Sequence, residues 1–339
     1  MAPTGISSAL FQPGSIGWTK ALVLNLTGSP IHTLTAPGGG GRKSVRALLE
    51  DGRSVIVTRR ETPARSETEA ALLQVLSSEG APVPAVIGFR DGLLVQQDVG
   101  RRRLSFAMAS ADADQKAALA RAALTSLQAC RAAMDRRPDI LSKLPGLGTR
   151  PGWAEDFVSQ PFFLSGDLGI AMPDVDANAL AMSLAHDPLV FTRWDARLAN
   201  AAVQPDGSVT WFDWDLFGRR AGVEDLGWAI ADEYWRLNPS TTTALLSEVM
   251  PDADARGLAL RMAVLVAANR LKRITARIDA NGWADADDAL RLDRIGAVPE
   301  VVRDLCARMP QIAASDPLTA GFEDWFKAVG KALIARAPD

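Results

Sequence analysis

Residues 189–228 constrain the fold more than any other stretch, because short apolar runs alternate there with turn residues in a fixed order. An apolar, β-prone run is interrupted by a loop of alternating charge, and two further apolar runs flank a strong turn. The pattern predicts a strand, a polar loop and a hairpin whose second strand ends in carboxylates. The segments are 189–192 for the strand, 193–200 for the loop, and 201–204 and 208–212 for the hairpin around Pro205-Asp206-Gly207.

Three polar residues, Asp195, Asn200 and Asp213, are brought by this arrangement to one end of a small β unit. A loop carboxylate can accept a proton from a hydroxyl group, and amide and carboxylate oxygens can hold Mg²⁺. Phosphoryl transfer requires these groups, because positioning and charge neutralisation provide most of its catalysis. The alternative is that they are ordinary turn residues, since Asp and Asn are common in loops. The ordered set of three favours a site.

The segment Asp195-Ala-Arg-Leu-Ala-Asn200 has the D-x-x-x-x-N spacing of a kinase catalytic loop. With Phe212-Asp213-Trp214 and Val223-Glu-Asp225-Leu-Gly-Trp228, it resembles the aminoglycoside phosphotransferase and choline kinase family. The resemblance implies an α+β, bilobal, protein-kinase-like fold with a mixed N-lobe and a largely helical C-lobe. It also implies that Asp195 is the catalytic base, that Asn200 and Asp213 bind Mg²⁺, and that Asp225 braces the catalytic loop.

The sequence departs from the family pattern just before the catalytic aspartate. The family histidine is replaced by Arg193, and the glycine that follows it is replaced by Trp194. An arginine could order the loop by bonding to carbonyl groups or to Asp213, or it could mark lost or altered chemistry. Arg197 matches a D-x-R-x-x-N branch of the family, and we expect it to act beside Asp195 by neutralising the transferring phosphate.

The N-terminal part predicts three strands, at 31–36, 44–50 and 54–58, with four glycines between the first two. This pattern resembles the nucleotide-covering hairpin of the family, so Gly39 and Gly40 are expected to approach phosphates, although a flexible surface loop is the other interpretation. The third strand ends in two arginines. Strand alternation favours Arg59 for the nucleotide face, with Arg60 as the neighbouring possibility. Residues 18–26 are expected to be a packed extension.

A helix over residues 66–79 follows and carries Glu69, where the family has the carboxylate that pairs with the strand cation. A hairpin over residues 86–97 comes next. Its end resembles the family hinge, so Gln97 and Val99 are expected to bind the adenine edge through backbone groups. We therefore predict an N-lobe at 1–98 and a C-lobe at 99–339.

The C-lobe is predicted to be mostly helical from its apolar periodicity. A stretch rich in proline and glycine at 137–185 interrupts the helices. In the family such an insertion commonly shapes the acceptor pocket, although packing is the other interpretation of its aromatic residues. The predicted helices cover residues 112–135, 258–278, 290–309 and 322–335, and one more begins at Asp225.

Composition excludes several other classes of protein. A net charge of −3 argues against nucleic acid as a partner, and with only two histidines the sequence gives little support to a zinc or Ser-His-Asp site. Cys130 and Cys306 are expected to be buried, reduced thiols. Because the sequence lacks a signal peptide and a run long enough to span a bilayer, we expect a cytoplasmic protein with no membrane partner.

These patterns together predict an ATP-dependent small-molecule kinase that uses ATP and Mg²⁺ to phosphorylate a hydroxyl group of its acceptor. The alternative is a catalytically inactive kinase-like module that binds a ligand or a partner protein, suggested by Arg193, Trp194 and the lack of a strand lysine. The acceptor, the choice between ATP and GTP, and the oligomeric state are left open by the sequence.

Overall fold

A computed structural model describes residues 14–36 and 43–338. The chain divides into two compact units, Met1–Val99 and Gly100–Asp339. We predicted a division after Asp98, and the observed one lies after Val99. The fold class is the predicted one, a kinase-like fold with an antiparallel sheet in the first unit and a largely helical second unit.

Five strands of the described residues form one antiparallel sheet in the first unit, in the order β1-β2-β3-β5-β4. The predicted strands and the predicted hairpin are all present, with ends that differ by no more than a residue or so. Two helices among the described residues pack with this sheet. Its elements are α1 (Ile16–Thr27), β1 (Ile31–Thr35), β2 (Ser44–Leu49), β3 (Ser54–Thr58), α2 (Pro63–Ser78), β4 (Val86–Arg90) and β5 (Leu93–Gln97).

Helix α1 replaces the packed extension that we expected at residues 18–26. Ser15 caps its start by accepting a hydrogen bond from the Trp18 backbone N–H at 3.1 Å, and Gly28 ends it at φ 75°. Trp18, Leu22 and Leu26 pack against one apolar face of the sheet, which alternation along the strands supplies. The buried core residues there are Val23, Ile31, Ala47, Leu49, Val55, Val57, Leu93 and Val95.

The second unit contains the predicted hairpin and a second pair of short strands. Strands β7 and β8 pair from Ala201 opposite Trp211 to Val203 opposite Val209, and strand β6 pairs with β9. The turn is closed by Asp206, whose carboxylate accepts the Ser208 backbone N–H at 2.9 Å. The strands are β6 (Val190–Thr192), β7 (Ala201–Val203), β8 (Val209–Trp211) and β9 (Gly218–Arg220).

Helices make up most of the second unit, and the 29-residue α10 packs against α6, α8 and α12. None of the helices in the described ranges is both long and apolar enough to cross a bilayer. The helices are α3 (Leu104–Ser110), α4 (Ala113–Asp135), α5 (Pro138–Leu141), α6 (Trp153–Leu168), α7 (Ala177–Ser183), α8 (Glu224–Ala231), α9 (Pro239–Val249), α10 (Ala253–Asn281), α11 (Ala286–Arg291), α12 (Pro299–Ala313) and α13 (Phe322–Ile334).

The prediction of one helix over residues 290–309 was wrong. Helix α11 ends at Arg291, Asp293 adopts a left-handed backbone with φ 51°, and α12 begins only at Pro299. A proline is favourable at the first position of a helix but unfavourable inside one, so Pro299 separates the two helices. Residues 292–298 form the loop between the two helices, and this loop carries Asp293.

Both cysteines are buried and unbonded, as predicted. Burial raises the pKa of each thiol, Cys130 and Cys306, to about 12. Such thiols are unreactive packing groups at neutral pH.

Candidate active site

Asp225 fixes the loop that carries Asp195. Its carboxylate, in the first turn of α8, accepts the backbone N–H groups of Arg193 and Trp194, each at 2.8 Å. Burial raises the pKa of Asp225 to about 6. The two N–H donors oppose this shift, because hydrogen bonds to the carboxylate favour its charged form. The contacts are those expected of a residue that braces the loop.

Arg193 holds the loop to the strand end that carries Asp213. Its Nε donates to the Asp195 carbonyl oxygen at 3.0 Å, and Nη2 donates to the carbonyls of Phe212 at 2.8 Å and Asp213 at 3.1 Å. The guanidinium also lies 4.8 Å from the Trp214 ring centroid. The side chain is buried, which lowers its pKa although Asp195 and other nearby carboxylates oppose the shift. Arg193 therefore orders the loop through carbonyl groups, the first of the two interpretations offered by the sequence.

Trp194 occupies a backbone conformation that favours glycine, with φ 72°. The indole ring compensates by packing, with its centroid 5.6 Å from that of Trp153 and 5.6 Å from the Arg220 guanidinium carbon. Trp153 in turn stacks on Phe157 of α6 at 5.0 Å. The tryptophan that replaces the family glycine thus joins the loop of residues 193–200 to the stretch at 137–185.

Asp195 is oriented by Asn200, a contact that the sequence analysis did not predict. The Asn200 Nδ2 donates to Asp195 Oδ2 at 2.8 Å, while Arg197 Nε lies 3.4 Å from Asp195 Oδ1. Asp195 is only partly buried, and Asn200 holds its Oδ2 rather than its Oδ1. Burial lowers the pKa of Arg197, but Asp195, Asp293 and further carboxylates outweigh this effect and raise it above its ordinary value. Arg197 is therefore a permanent cation.

Asn200 and Asp213 flank the open end of the β7–β8 hairpin. The Phe212 backbone N–H donates to the Asn200 carbonyl at 2.9 Å, and Asp213 follows with φ 61°. Asn200 uses its amide N–H group on Asp195, which leaves its amide oxygen for a cation. Residues 14–36 and 43–338 hold no cluster of three or more His, Cys, Asp or Glu side chains suited to a metal. The two oxygen donors fit Mg²⁺, which usually takes its other ligands from phosphates and water.

The first unit carries a buried ion pair that corrects one prediction. Glu69 accepts from Arg60, not Arg59, through Nε and Nη2 at 2.7 Å each, and the two side chains are 5% and 1% exposed. Strand β3 ends at Thr58, so the alternation that favoured Arg59 does not extend to these residues. Arg59 is exposed and lies 5.5 Å from the Trp18 ring centroid. The arginine that pairs with Glu69 is thus Arg60, one position after the residue that strand alternation favoured.

The remaining residues predicted to bind nucleotide are only partly described. Gly39 and Gly40 lie outside the described residues. The backbone N–H of Gln97 donates to the Ala85 carbonyl at 2.8 Å, so it is already used within the sheet. Val99 is the last residue of the first unit. Adenine binding near Val99 stays a prediction.

Two further carboxylates lie next to the loop of residues 193–200, and sequence reasoning missed one of them, Asp293. Asp232 accepts the Leu198 backbone N–H at 3.0 Å. Burial raises the pKa of Asp232 to about 6, and the negative charge of the neighbouring Glu233 contributes to the rise. Asp293 lies with its Oδ2 3.8 Å from Arg197 Nη2. No local pattern identified Asp293 as a site residue, because it lay inside a predicted helix.

Comparison with known proteins gives one family match. The model of the APH family, described as "Phosphotransferase enzyme family", matches residues 33–260. A search of the curated proteins finds no match.

Solved structures with similar folds have low sequence identity to this chain. An aminoglycoside phosphotransferase from Alicyclobacillus acidocaldarius has a TM-score of 0.50 at 12% identity, with 84% of this chain and 92% of that chain covered. A choline/ethanolamine kinase family protein from Mesorhizobium loti has 0.50 at 15% identity, covering 94% and 97%. The gentamicin complex of APH(2'')-IIa has 0.53 at 12% identity, covering 91% and 99%. These similarities establish the fold.

Proposed function

This chain belongs to the phosphotransferase enzyme family, and from that premise we propose that it is a nucleotide-dependent kinase acting on a hydroxyl group of a small molecule. The observation that carries the proposal is the arrangement around Asp195. Asn200 holds one carboxylate oxygen, and Arg193 ties the same loop to the strand end of Asp213. Family kinases need a base and metal-binding oxygens in fixed relation, and these contacts supply that relation.

Asp195 acts as the base in this proposal. Its Oδ1 accepts the proton of the acceptor hydroxyl, and Asn200 prevents the carboxylate from rotating. Asn200 and Asp213 would hold Mg²⁺, which on binding neutralises charge on the nucleotide phosphates. Arg197 would stabilise the negative charge of the transferring phosphoryl group.

In the first unit, Arg60 rather than Arg59 is the cation that we propose for the nucleotide phosphates. Its pairing with Glu69 fixes the guanidinium plane through two parallel hydrogen bonds. An arginine here can replace the lysine of related kinases as a charge, although its planar group binds phosphate differently from a compact ammonium. The lack of a strand lysine therefore does not by itself favour an inactive module.

A cavity of about 730 Å³ beside α6 and α7 is the proposed acceptor region. Trp153 lines it, and the same ring packs against Trp194, the residue before Asp195. Met182 adds an exposed apolar side chain, and Glu155 adds a carboxylate. One structural neighbour was solved with gentamicin and another belongs to the choline/ethanolamine kinases. We therefore propose a hydroxyl-bearing small molecule as the acceptor.

The first test is thermal unfolding with ATP or GTP, with and without Mg²⁺, on the wild type and on Asp213→Ala. We expect nucleotide to raise the melting temperature in a metal-dependent way, and we expect the metal dependence to be lost in Asp213→Ala, because binding to the native state alone stabilises it. Asp167→Ala, which removes an exposed carboxylate of α6, is the matched control.

The second test is turnover in a screen of hydroxyl-bearing acceptors. Asp195→Asn should keep nucleotide binding and lose about 10²- to 10⁴-fold in turnover, the usual range for removal of a general base. Equal turnover in Asp195→Asn and wild type would exclude the proposed base. Metal-dependent nucleotide binding with no transfer to any acceptor would instead favour the inactive module.

A further inference from the structure

Asp293 brings an acidic side chain from the C-terminal helices to the catalytic loop. It lies in the loop between α11 and α12, where its backbone is left-handed with φ 51° and its side chain is only 8% exposed. Its Oδ2 lies 3.8 Å from Arg197 Nη2 and 3.9 Å from Arg103 Nη1. A carboxylate this buried is normally matched by cations, and Arg197 and Arg103 provide them.

Arg197 consequently has a carboxylate at each end of its guanidinium. Nε lies 3.4 Å from Asp195 Oδ1, whereas Nη2 faces Asp293. Neither distance is that of a short, bidentate ion pair. Arg197 therefore divides its charge between the proposed base and a carboxylate that is not part of the loop.

The loop that carries Asp293 is held in place by buried contacts. Glu233 accepts the Gly296 backbone N–H at 2.9 Å and forms an ion pair with Arg270. A Cβ atom on Gly296 would lie 2.7 Å from the Glu233 side chain, so the loop approaches too closely for a larger residue. The Arg294 backbone N–H donates to the Ala289 carbonyl at 2.8 Å. Asp293 is thus presented by an anchored loop.

Other charges near Arg197 are already matched. Asp232 accepts the backbone N–H groups of Leu198 and Tyr234, and Glu233 is paired with Arg270. Asp232 and Glu233 attract Arg197 through their negative charge, and the positive charge of Arg270 repels it. Among the described residues, the carboxylates within ion-pair distance of Arg197 are those of Asp195 and Asp293.

We propose that Asp293 is a positioning residue, which holds Arg197 away from a closed ion pair with Asp195 and keeps Asp195 Oδ1 accessible to the acceptor hydroxyl. The inference rests on the proposed function and adds a residue to it. Without the Asp293 charge, Arg197 would close on Asp195 in a bidentate pair, because no competing carboxylate would hold Nη2. Oδ1 would then be occupied, and the guanidinium would move from the position where it can meet the phosphoryl group.

The variant Asp293→Asn tests this role without straining the backbone, because asparagine tolerates the left-handed region as well as aspartate does. We expect kcat to fall about 10- to 100-fold, the size of effect produced by a misplaced catalytic group, with the KM values for nucleotide and acceptor nearly unchanged. Asp293→Glu keeps the charge and should recover most of the lost kcat. Asp288→Asn, which removes the exposed partner of Arg291 in α11, is the control and should behave as the wild type.

The side-chain NMR resonance of Arg197 provides a readout that needs no turnover. The Nε–H signal, assigned by its loss in Arg197→Lys, should move in Asp293→Asn and stay in place in Asp288→Asn. If the wild type phosphorylates no acceptor, the proposed function fails while this resonance still tests the contact. An unmoved resonance, an unchanged kcat, or a kcat loss that Asp293→Glu does not restore would overturn the proposal.

Discussion

At the scale of single residues, the two departures from the family motif both make contacts that hold the loop. Arg193 donates hydrogen bonds to three backbone carbonyls, those of Asp195, Phe212 and Asp213. Trp194 has a left-handed backbone, which costs a non-glycine residue about 1–2 kcal/mol. Its contacts with Trp153 and Arg220, and the hydrogen bonds that Asp225 accepts, offset that cost. The loop is ordered by different residues, in a geometry that keeps Asp195 and Asn200 together.

Asp225 makes the stability of the protein depend on pH in a defined window. Burial raises its folded-state pKa to about 6 from the ordinary aspartate value of 3.8, so between about pH 4 and pH 6 the unfolded chain loses this proton and the folded chain keeps it. The free energy of unfolding should therefore fall as pH rises through this window and level off above pH 6. A rise of about two pKa units corresponds to roughly 3 kcal/mol.

Urea unfolding of the wild type and Asp225→Asn at intervals from pH 4 to pH 8 measures this contribution. The difference in unfolding free energy between the two proteins should decline from pH 4 to pH 6 and then stay constant. Asp167→Asn, which removes an exposed charge from α6, should give a curve parallel to that of the wild type. A constant difference between wild type and Asp225→Asn across the window would mean that Asp225 is not protonated in the folded state.

At the scale of secondary structure elements, the ion pair between Arg60 and Glu69 joins the end of β3 to α2. Both side chains are buried, so removal of one partner leaves an uncompensated charge. Glu69→Ala and Arg60→Met should each destabilise the protein by about 3–5 kcal/mol in urea unfolding. Arg59→Met removes the adjacent exposed guanidinium, and it should cost no more than about 1 kcal/mol, the value of an exposed cation–π contact.

Arg60→Met and Arg59→Met also test which of the two arginines binds the nucleotide phosphates. Arg60→Met should weaken Mg-nucleotide binding in calorimetry, whereas Arg59→Met should leave it near the wild-type value. A larger loss of affinity in Arg59→Met than in Arg60→Met would restore the original interpretation based on strand alternation.

At the scale of the whole molecule, the helices beyond the family match contribute to the candidate site. The family match ends at residue 260, and Arg270 and Asp293 lie beyond it. Arg270 forms an ion pair with Glu233, and Asp293 lies near Arg197 of the loop at 193–200. Helix α13 also supports α6, because Trp325 Nε1 donates to Ser165 Oγ at 2.8 Å in a buried contact. The C-terminal helices therefore act on both the loop and the insertion.

Trp325 provides a test of this support. Trp325→Ala should lower the free energy of unfolding by about 3–5 kcal/mol, because it opens a cavity among buried aromatic rings. Trp325→Phe keeps a ring but loses the hydrogen bond to Ser165, so about 1 kcal/mol is expected from that bond. Equal stabilities of Trp325→Ala and Trp325→Phe in urea unfolding would show that the ring packing between α13 and α6 contributes little.

Short-range sequence patterns were sufficient to predict the strand, loop and hairpin that carry Asp195, Asn200 and Asp213. The turn at Asp206 sets the hairpin register, and Asn200 and Asp213 lie on either side of the two paired strands. The strands of the first unit followed from alternation for the same reason. The chemical roles of these residues stay predictions.

The distant groups that meet the loop of residues 193–200 are set by how the helices and strands pack together. Strand alternation could not choose Arg60 over Arg59, because the strand ends before both and the buried Glu69 selects its partner. Periodicity predicted a continuous helix at 290–309, and the interruption that carries Asp293 depends on Pro299 and on packing against Glu233. A contact between residues far apart in the chain depends on how whole helices pack, and local patterns carry no information about that packing.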